Sequence, residues 1–426
     1  MTQETPPAGD VSHVVEHLFR RESGKMVATL TRIFGVEHLT LVEDVVQEAL
    51  ARALQTWPFY GVPENPSAWI MRASRNLALD VVRREKVFRD KEEAIIHQMK
   101  GSPSGPGEPV FAAEEIEDDR LRMMFICCHP LVPAEARVPL TLKTLCGFSV
   151  AEISRAFLTT EAATAKQLTR AKQRIREERV PFEIPAGADL AHRLESVLQC
   201  LYLLFNEGYK ASSGDRLVRE DICHEAIAMT DMLAEHPVTR QPRTHALLAL
   251  MLLNSARLPA RVDGEGNLQL LQDQDRSRWD RQMITRGVLH LAQSATGGEL
   301  TEYHVQAGIA ACHCVAKDDA STDWAQILLF YDQLVQVDDS PVVALNRAVA
   351  VAKVKGPAAG LEAVTAIPGA GKLKAYHLYY AVLGEFELRL EQHEAAAEHF
   401  RKALELVELK SERMFLEGKL KACRGL

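Results

Sequence analysis

Several things are scarce in this sequence, and each scarcity removes a class of protein. Met1 to Asp10 is polar and proline-containing with no apolar core after it, so nothing there has the form of an export signal. No run of about 18 apolar residues occurs, which argues against a membrane-spanning helix. Eight cysteines spread over 426 residues are too thin for a disulfide framework and point to a reduced, cytosolic setting. Apolar–polar alternation rarely persists beyond four residues, so strands are not expected. Positive charge is in deficit: the net charge of −8 excludes a protein that coats nucleic acid indiscriminately.

What is abundant is helical periodicity. With 47% hydrophobic and 25% charged residues the composition is that of a folded globular protein. A chain of 426 residues exceeds one ordinary core, so two to four domains are expected. Gly101 to Pro109, GSPSGPGEP, reads as a flexible linker, and Pro181 to Gly187, PFEIPAG, as a weaker break. The expected architecture is all-α and multidomain, with helical domains over 10–95 and 115–182, a linker over 96–114, and a tail divided into 187–290 and 300–420. Charge is uneven along it. Arg120 to Arg179 holds eleven Lys/Arg against five Asp/Glu, as expected of a module that meets nucleic acid through one face.

The tail carries a repeat. Gly384, Ala396, Phe400 and Ala403 have the relative spacing of the small and aromatic positions of a tetratricopeptide unit. Stepping back 36 residues gives Ala348, Gly360, Val364 and Ile367; a further 33 gives Val315, Ile327, Tyr331 and Leu334. Small residues let paired helices approach while larger ones fill the gaps between units. A plain helical bundle with coincidental small residues is the alternative.

In the first block, LVEDVVQEALARAL (Leu41 to Leu54) places Leu41, Val45, Val46, Ala49 and Ala53 on one side of a helix, and Glu43, Asp44, Gln47 and Glu48 on the other. A solvated face would look the same. Downstream, PSAWIMRASRNLALDVVRREK starts at Pro66, with Trp69, Ile70, Ala73, Leu77 and Val81 as the buried side. Arg72, Arg75, Asn76 and Arg83 occupy a separate arc, followed by Arg84 and Lys86. Just upstream sits an aromatic loop, Trp57-Pro58-Phe59-Tyr60, ending in Pro63-Glu64-Asn65-Pro66. Basic side chains track phosphates and aromatic pockets hold bases that have left the stack, which is what stabilising melted DNA requires.

In the second block, Ser149 and Glu152 have capping-box spacing, so a helix is expected from Val150 to about Phe157. A turn at Leu158-Thr159-Thr160 follows, and Thr160 is the natural N-cap of a second helix reaching about Glu178. Ala165, Leu168, Ala171 and Ile175 point inward on that helix; Lys166, Gln167, Arg170 and Arg174 share the outer face. A short helix, a tight turn and a longer helix with such a face describe a major-groove reader. A basic helical hairpin facing solvent is the bland alternative.

The order Asp44-x-x-Gln47, Trp57, Pro66-x-x-Trp69-Ile70 and Arg75-Asn76-x-x-x-Asp80-x-x-Arg83-Arg84 resembles region 2 of the extracytoplasmic-function σ factors. The helix-turn-helix resembles region 4 of the same family. The long tail, with Phe125-Ile126-Cys127-Cys128-His129-Pro130 and the Tyr202–Tyr209 segment, is similar to the subgroup with a tetratricopeptide-type extension. The resemblance covers nearly the whole chain. It implies that Asp44, Gln47, Glu48 and Glu43 meet core RNA polymerase, made of β and β′ among other subunits, at the β′ clamp. It further implies that the segment from about Pro58 to Pro66 captures a flipped base of the −10 element. Trp57, Phe59, Tyr60, Asn65, Arg72, Arg75, Asn76, Arg83 and Arg84 would then hold promoter DNA there, and Thr160, Lys166, Gln167, Arg170 and Arg174 the −35 element. Extruding a base costs a few kcal/mol of stacking, which pocket and phosphate contacts must offset. No catalytic residue, metal or cofactor is expected, and the extension would contact the chain itself or a protein partner.

Three other features tempt. Cys127, Cys128 and His129, like Cys312, His313 and Cys314, are adjacent on helices and point about 100° apart, so one ion is ill served. Asn206-Glu207-Gly208 is expected to end or bend a helix. Asp273 to Trp279 is polar around one large aromatic and could be a contact between domains. Two rival functions stand beside this reading: a ligand-sensing helix-turn-helix regulator that never joins polymerase, which has no use for the Asp44/Gln47 stripe, and an enzyme or scaffold with fused DNA-binding domains, which would need a deep polar pocket with paired titratable groups.

Overall fold

The computed structural model describes residues 22–84, 113–157, 159–209, 219–261, 263, 269–296, 298–407 and 410–423. Among these there is no strand, and the fold is all-α. The glycine- and proline-rich linker of Gly101 to Pro109 lies outside the described residues, as does Lys86. The chain divides into two compact units, Met1–Leu204 and Phe205–Leu426, with the division inside one helix.

The first unit begins with helix α1 over 22–34, then α2 (Leu39–Tyr60) and α3 (Pro66–Arg84). Its second set is α4 (Ala113–Cys127), α5 (Ala134–Leu145), α6 (Val150–Ala156) and α7 (Glu161–Glu177), followed by α8 (Gly187–Tyr209) as far as Leu204. α2 runs nearly two turns further than its periodicity suggested, carrying Pro58 inside it, so Trp57 to Tyr60 are helical rather than a loop. Gly61 ends it at φ +83, where an L side chain would be strained, and its N–H bonds the Trp57 carbonyl at 2.9 Å. α3 is rotated by about one residue from its expected face. Ile70, Met71, Ser74, Ala78 and Val82 are buried, whereas Trp69, Ala73, Leu77 and Val81 are half-buried. Ser74 explains the shift: its hydroxyl donates to the Ile70 carbonyl at 2.8 Å, so a polar residue sits inside without an unmet hydrogen bond.

The second unit continues with α9 (Glu220–Glu235), α10 (Pro242–Ser255), α11 (Arg281–Ser294), α12 (Glu302–Val315), α13 (Trp324–Val337), α14 (Pro341–Lys355), α15 (Pro357–Thr365), α16 (His377–Arg389), α17 (His393–Leu406) and α18 (Lys410–Ala422). α12 packs most extensively on α10, and from α13 onward each helix packs chiefly on its chain neighbours, the arrangement of stacked helix pairs. The small residues do the work expected of them. A Cβ on Gly384 would lie 3.1 Å from the Phe400 ring, and one on Gly360 2.5 Å from Ala352 and 3.0 Å from Phe386. Ala348, Val364, Ile367, Ala396 and Ala403 are buried with them. The first of the three units is out of step: Ile327 and Leu334 are buried, but Val315 is 67% exposed. Close approach there is made instead by Gly308 against Phe330.

Asn206-Glu207-Gly208 lies in the last turn of α8, which runs to Tyr209, and a Cβ on Gly208 would sit 2.7 Å from the backbone nitrogen of Cys223, so the glycine there serves packing. As expected of a contact between domains, the Asp273–Trp279 segment, within the second unit, joins the parts of the tail read as 187–290 and 300–420. Buried Arg276 donates to the carbonyls of His313 and Ala316, both at 2.8 Å, and to Thr322 Oγ1 at 3.3 Å, with its guanidinium 4.8 Å from the Trp279 ring.

Buried histidines make this unit acid-sensitive. His313 is pushed down to about 3 by burial and then by the cations Arg257 and Arg276. His245 and His290 face each other, Nδ1 to Nδ1 at 3.0 Å, and burial lowers both, with His290 adding to the fall at His245. Below the ordinary histidine pKa the unfolded chain takes up protons that the folded chain refuses, so stability drops as pH falls from about 6.5 toward 3. At pH 5 His313 alone costs about 2 kcal/mol. Melts at pH 7.5 and 5 should show the second unit's transition moving down by several degrees, with Tyr303- and Trp324-region hydrogen exchange rising; an unchanged transition would refute it.

Candidate nucleic-acid interface

Three exposed surfaces in the first unit gather the residues singled out above. On α2, Asp44, Gln47 and Glu48 are exposed at i, i+3 and i+4 spacing, so they share one face. Glu48 pairs with Arg52 at 2.9 Å in a pair so exposed that it adds little stability. Glu43 does not belong to that face. It is 6% exposed, accepts from Thr144 Oγ1 of α5 at 2.9 Å, and forms an ion pair with Lys172 of α7. One residue of helix is a turn of about 100°, enough to swing it from solvent into the packing. Lys143 and Asp44 lie in the same charged patch. Burial raises the Asp44 carboxyl, Glu43 raising it further against Lys172 and Lys143; burial lowers Lys143, with Glu43 opposing.

At the end of α2, Phe59 and Tyr60 are 80% and 88% exposed, among the most exposed large hydrophobic side chains described. Trp57 is the opposite. It is 2% exposed and meets the Trp69 ring edge-on at 5.5 Å. It is thus a core residue joining α2 to α3, and a base cannot stack on it in this conformation. Trp57→Ala should cost about 3–5 kcal/mol through the cavity it leaves. The loss should be read in denaturant melts; a cost below about 1 kcal/mol would mean the indole is dispensable to packing.

Asn65 is exposed and caps α3, accepting the Ala68 N–H on Oδ1 at 3.0 Å. Beyond it Arg72, Asn76 and Arg83 are exposed within a narrow arc of α3, and Arg75 is half-buried beside them. The side chain of Arg84 lies outside the described residues. Two exposed aromatics at one helix end therefore adjoin the helix that carries the Arg/Asn stripe.

The second set forms the expected helix-turn-helix. Ser149 and Glu152 make a reciprocal capping box, the Ser149 N–H donating to Glu152 Oε2 at 2.8 Å and the Glu152 N–H to Ser149 Oγ at 3.1 Å. Thr160 caps α7 by accepting the Ala163 N–H at 3.2 Å. Thr164, Leu168, Ala171 and Ile175 are buried; Ala165, expected inside, is exposed, because the hydroxyl of Thr164 finds Thr159 Oγ1 at 2.6 Å and can go in. Lys166, Arg170 and Arg174 are exposed at intervals of four, with Gln167 half-buried at their side. Arg174 also donates to the Leu131 carbonyl at 3.3 Å. Lys172, which carries positive charge in sequence, points inward to Glu43 and is lost to this face.

Three contacts between the helix sets had no signal in sequence. Glu43, Thr144 and Lys172 are separated by 101 and 129 residues and meet only through tertiary folding. A Cβ on Gly24 of α1 would overlap the Leu145 carbonyl of α5, so the two helix sets touch backbone to backbone. Arg32 of α1 bonds Asp119 of α4 at 2.9 Å. Cys127 and Cys128 are buried, with burial raising the Cys127 thiol, and His129 accepts the Leu131 N–H on Nδ1 at 3.2 Å. Among the described residues no three His, Cys, Asp or Glu side chains gather around one ion, and no helix is long and apolar enough to cross a membrane.

Comparison with known proteins places families on these surfaces. Residues 18–87 match Sigma-70 region 2, which spans α1 to α3. Residues 122–175 match Sigma-70, region 4, which holds the helix-turn-helix. Residues 193–295 match a family of unknown function, DUF6596. An uncharacterized protein of Rhizobium meliloti (strain 1021) is 37% identical over 395 residues, 92% of each chain. No solved structure matches. Two σ70 regions in order, each on the helices its residues build, with a helical extension behind them, make this chain a member of the σ70 family: an alternative RNA polymerase σ factor of the extracytoplasmic-function type with a C-terminal extension.

Proposed function

We propose that the exposed Asp44, Gln47 and Glu48 face of α2 docks on the β′ clamp of core polymerase, and that Phe59, Tyr60, Arg72, Asn76 and Arg83 receive the melted −10 element. Lys166, Gln167, Arg170 and Arg174 then read the −35 element from the major groove. The observation that carries this reading is the exposed Phe59/Tyr60 pair at the end of α2, which packs on the helix that carries the basic arc: leaving two aromatics in water is costly unless a partner covers them. Unstacked bases are suited to do so. Asn65 serves by capping α3 and so fixing the turn below those rings.

The stacked pairs of α12 to α18 are read as tetratricopeptide-like, and the extension as control built into the chain. Run-off transcription with purified core polymerase on a promoter library tests the main reading, since a helix-turn-helix regulator outside polymerase would direct no start-site choice. In that assay Arg170→Ala should lose about 1–3 kcal/mol of discrimination at one −35 position while polymerase binding stays unchanged. Equal loss on every promoter sequence would mean that Arg170 only meets phosphate.

A further inference from the structure

The second unit contains a cavity of about 390 Å³ between α12, α13, α14, α16 and α18, at the low end of the range for small-molecule sites. Its walls are largely apolar and aromatic, with Trp324, Tyr331, Phe386 and Phe415 among them. The polar groups on it are few and differently employed. Lys353 is bound to Asp319 at 2.9 Å and stands 5.0 Å from the Trp324 ring, so its charge is already met. Glu385 is likewise met, by Lys419 at 2.8 Å. Arg389 lines the cavity, is exposed, and has no ion-pair or hydrogen-bond partner among the described residues.

His313 is the second observation. It is 8% exposed, lines the same cavity, and its Nδ1 has no hydrogen-bond partner among the described residues. Leaving a buried polar atom unpaired is costly, and a ligand that supplies a hydrogen bond relieves that cost. The imidazole packs edge-on against Trp324 at 5.2 Å, so the orphan and the aromatic wall are parts of one surface. Being neutral, that ring offers a hydrogen bond and no charge.

We propose that this cavity binds a small organic monoanion with a flat apolar body, of the aryl carboxylate class, its body against Trp324 and Tyr331 and its carboxylate at Arg389. Charge decides the class: of the four charged residues on the wall, Asp319, Lys353 and Glu385 are paired, leaving one cation to be met by one anion. Volume decides the size, because a peptide segment needs an extended groove where this is a compact recess. The site lies wholly in the extension and does not depend on the promoter-recognition reading.

The test is calorimetric titration of the full chain, without polymerase, with 1-naphthoate and with its neutral analogue 1-naphthamide. Naphthoate should bind saturably, at least tenfold tighter than the amide. Arg389→Gln, an exposed substitution that leaves the core untouched, should bring naphthoate down to the amide's affinity and leave the amide unchanged. Ala350→Phe, which fills the recess, should abolish both; its folding is checked by its melting transition. Equal affinity for acid and amide, insensitivity to Arg389→Gln, or no saturable binding would each overturn the proposal. Tighter binding of a short acidic peptide than of naphthoate would do so as well.

Discussion

Replacing Asp44 and Gln47 together by alanine is expected to weaken binding to core polymerase by about a hundredfold while leaving the melting temperature unchanged. Both side chains are exposed on one face of α2, so their removal opens no cavity and strands no buried partner. At an interface the same truncations act differently. Residues at the centre of a docked face each cost more than about 1 kcal/mol, and two such losses reach about two powers of ten. Titration of fluorescent core polymerase with the wild-type and doubly substituted chains measures the ratio directly. Undiminished affinity would remove the Asp44/Gln47 face of α2 from the polymerase interface.

The second large effect lies at Glu43. Glu43→Ala removes the counter-ion of Lys172, whose side chain is 14% exposed, and the acceptor of Thr144. Breaking one side of a buried pair costs about 3–5 kcal/mol, far more than the pair is worth against an apolar replacement. The cost falls on the contact between the region 2 and region 4 helices, since each set keeps its own core. Hydrogen exchange in the full chain should therefore rise sharply along α5 and the inner face of α7, with α3 unaffected. Combining Glu43→Gln with Lys172→Met removes both charges at similar volume and should restore most of the protection. If Glu43→Ala leaves exchange unaltered, the ion pair does not hold the two sets together.

The helix-turn-helix was legible in detail because its signals are local. Ser149, Glu152 and Thr160 act on backbone groups within three residues, and such caps work in almost any surroundings. Faces were legible only approximately. Ser74 and Thr164 are polar, yet each is buried with its hydroxyl satisfied nearby, which rotated the inward stripe of α3 by a residue and put Ala165 outside. Trp57 read as a DNA-facing aromatic because ring chemistry suits a base; only the position of Trp69 showed that the ring is spent on packing. The repeat was clear at Gly384 and Phe400, where small and large residues face each other across one turn between helices, and blurred at Val315, where the close approach moved to Gly308.

By itself, then, the order of residues determined the helices, their caps, the succession of region 2, region 4 and a helical extension, and which stretches carry basic charge. These depend on hydrogen bonds and periodicities spanning a few residues. Tertiary structure alone decided that Glu43 faces Lys172 instead of solvent, that Trp57 is core, and that His313, Tyr331 and Arg389 line one recess. Those pairings join residues tens to more than a hundred positions apart, and a side chain's partner at that distance is set by how helices pack, which no local pattern encodes.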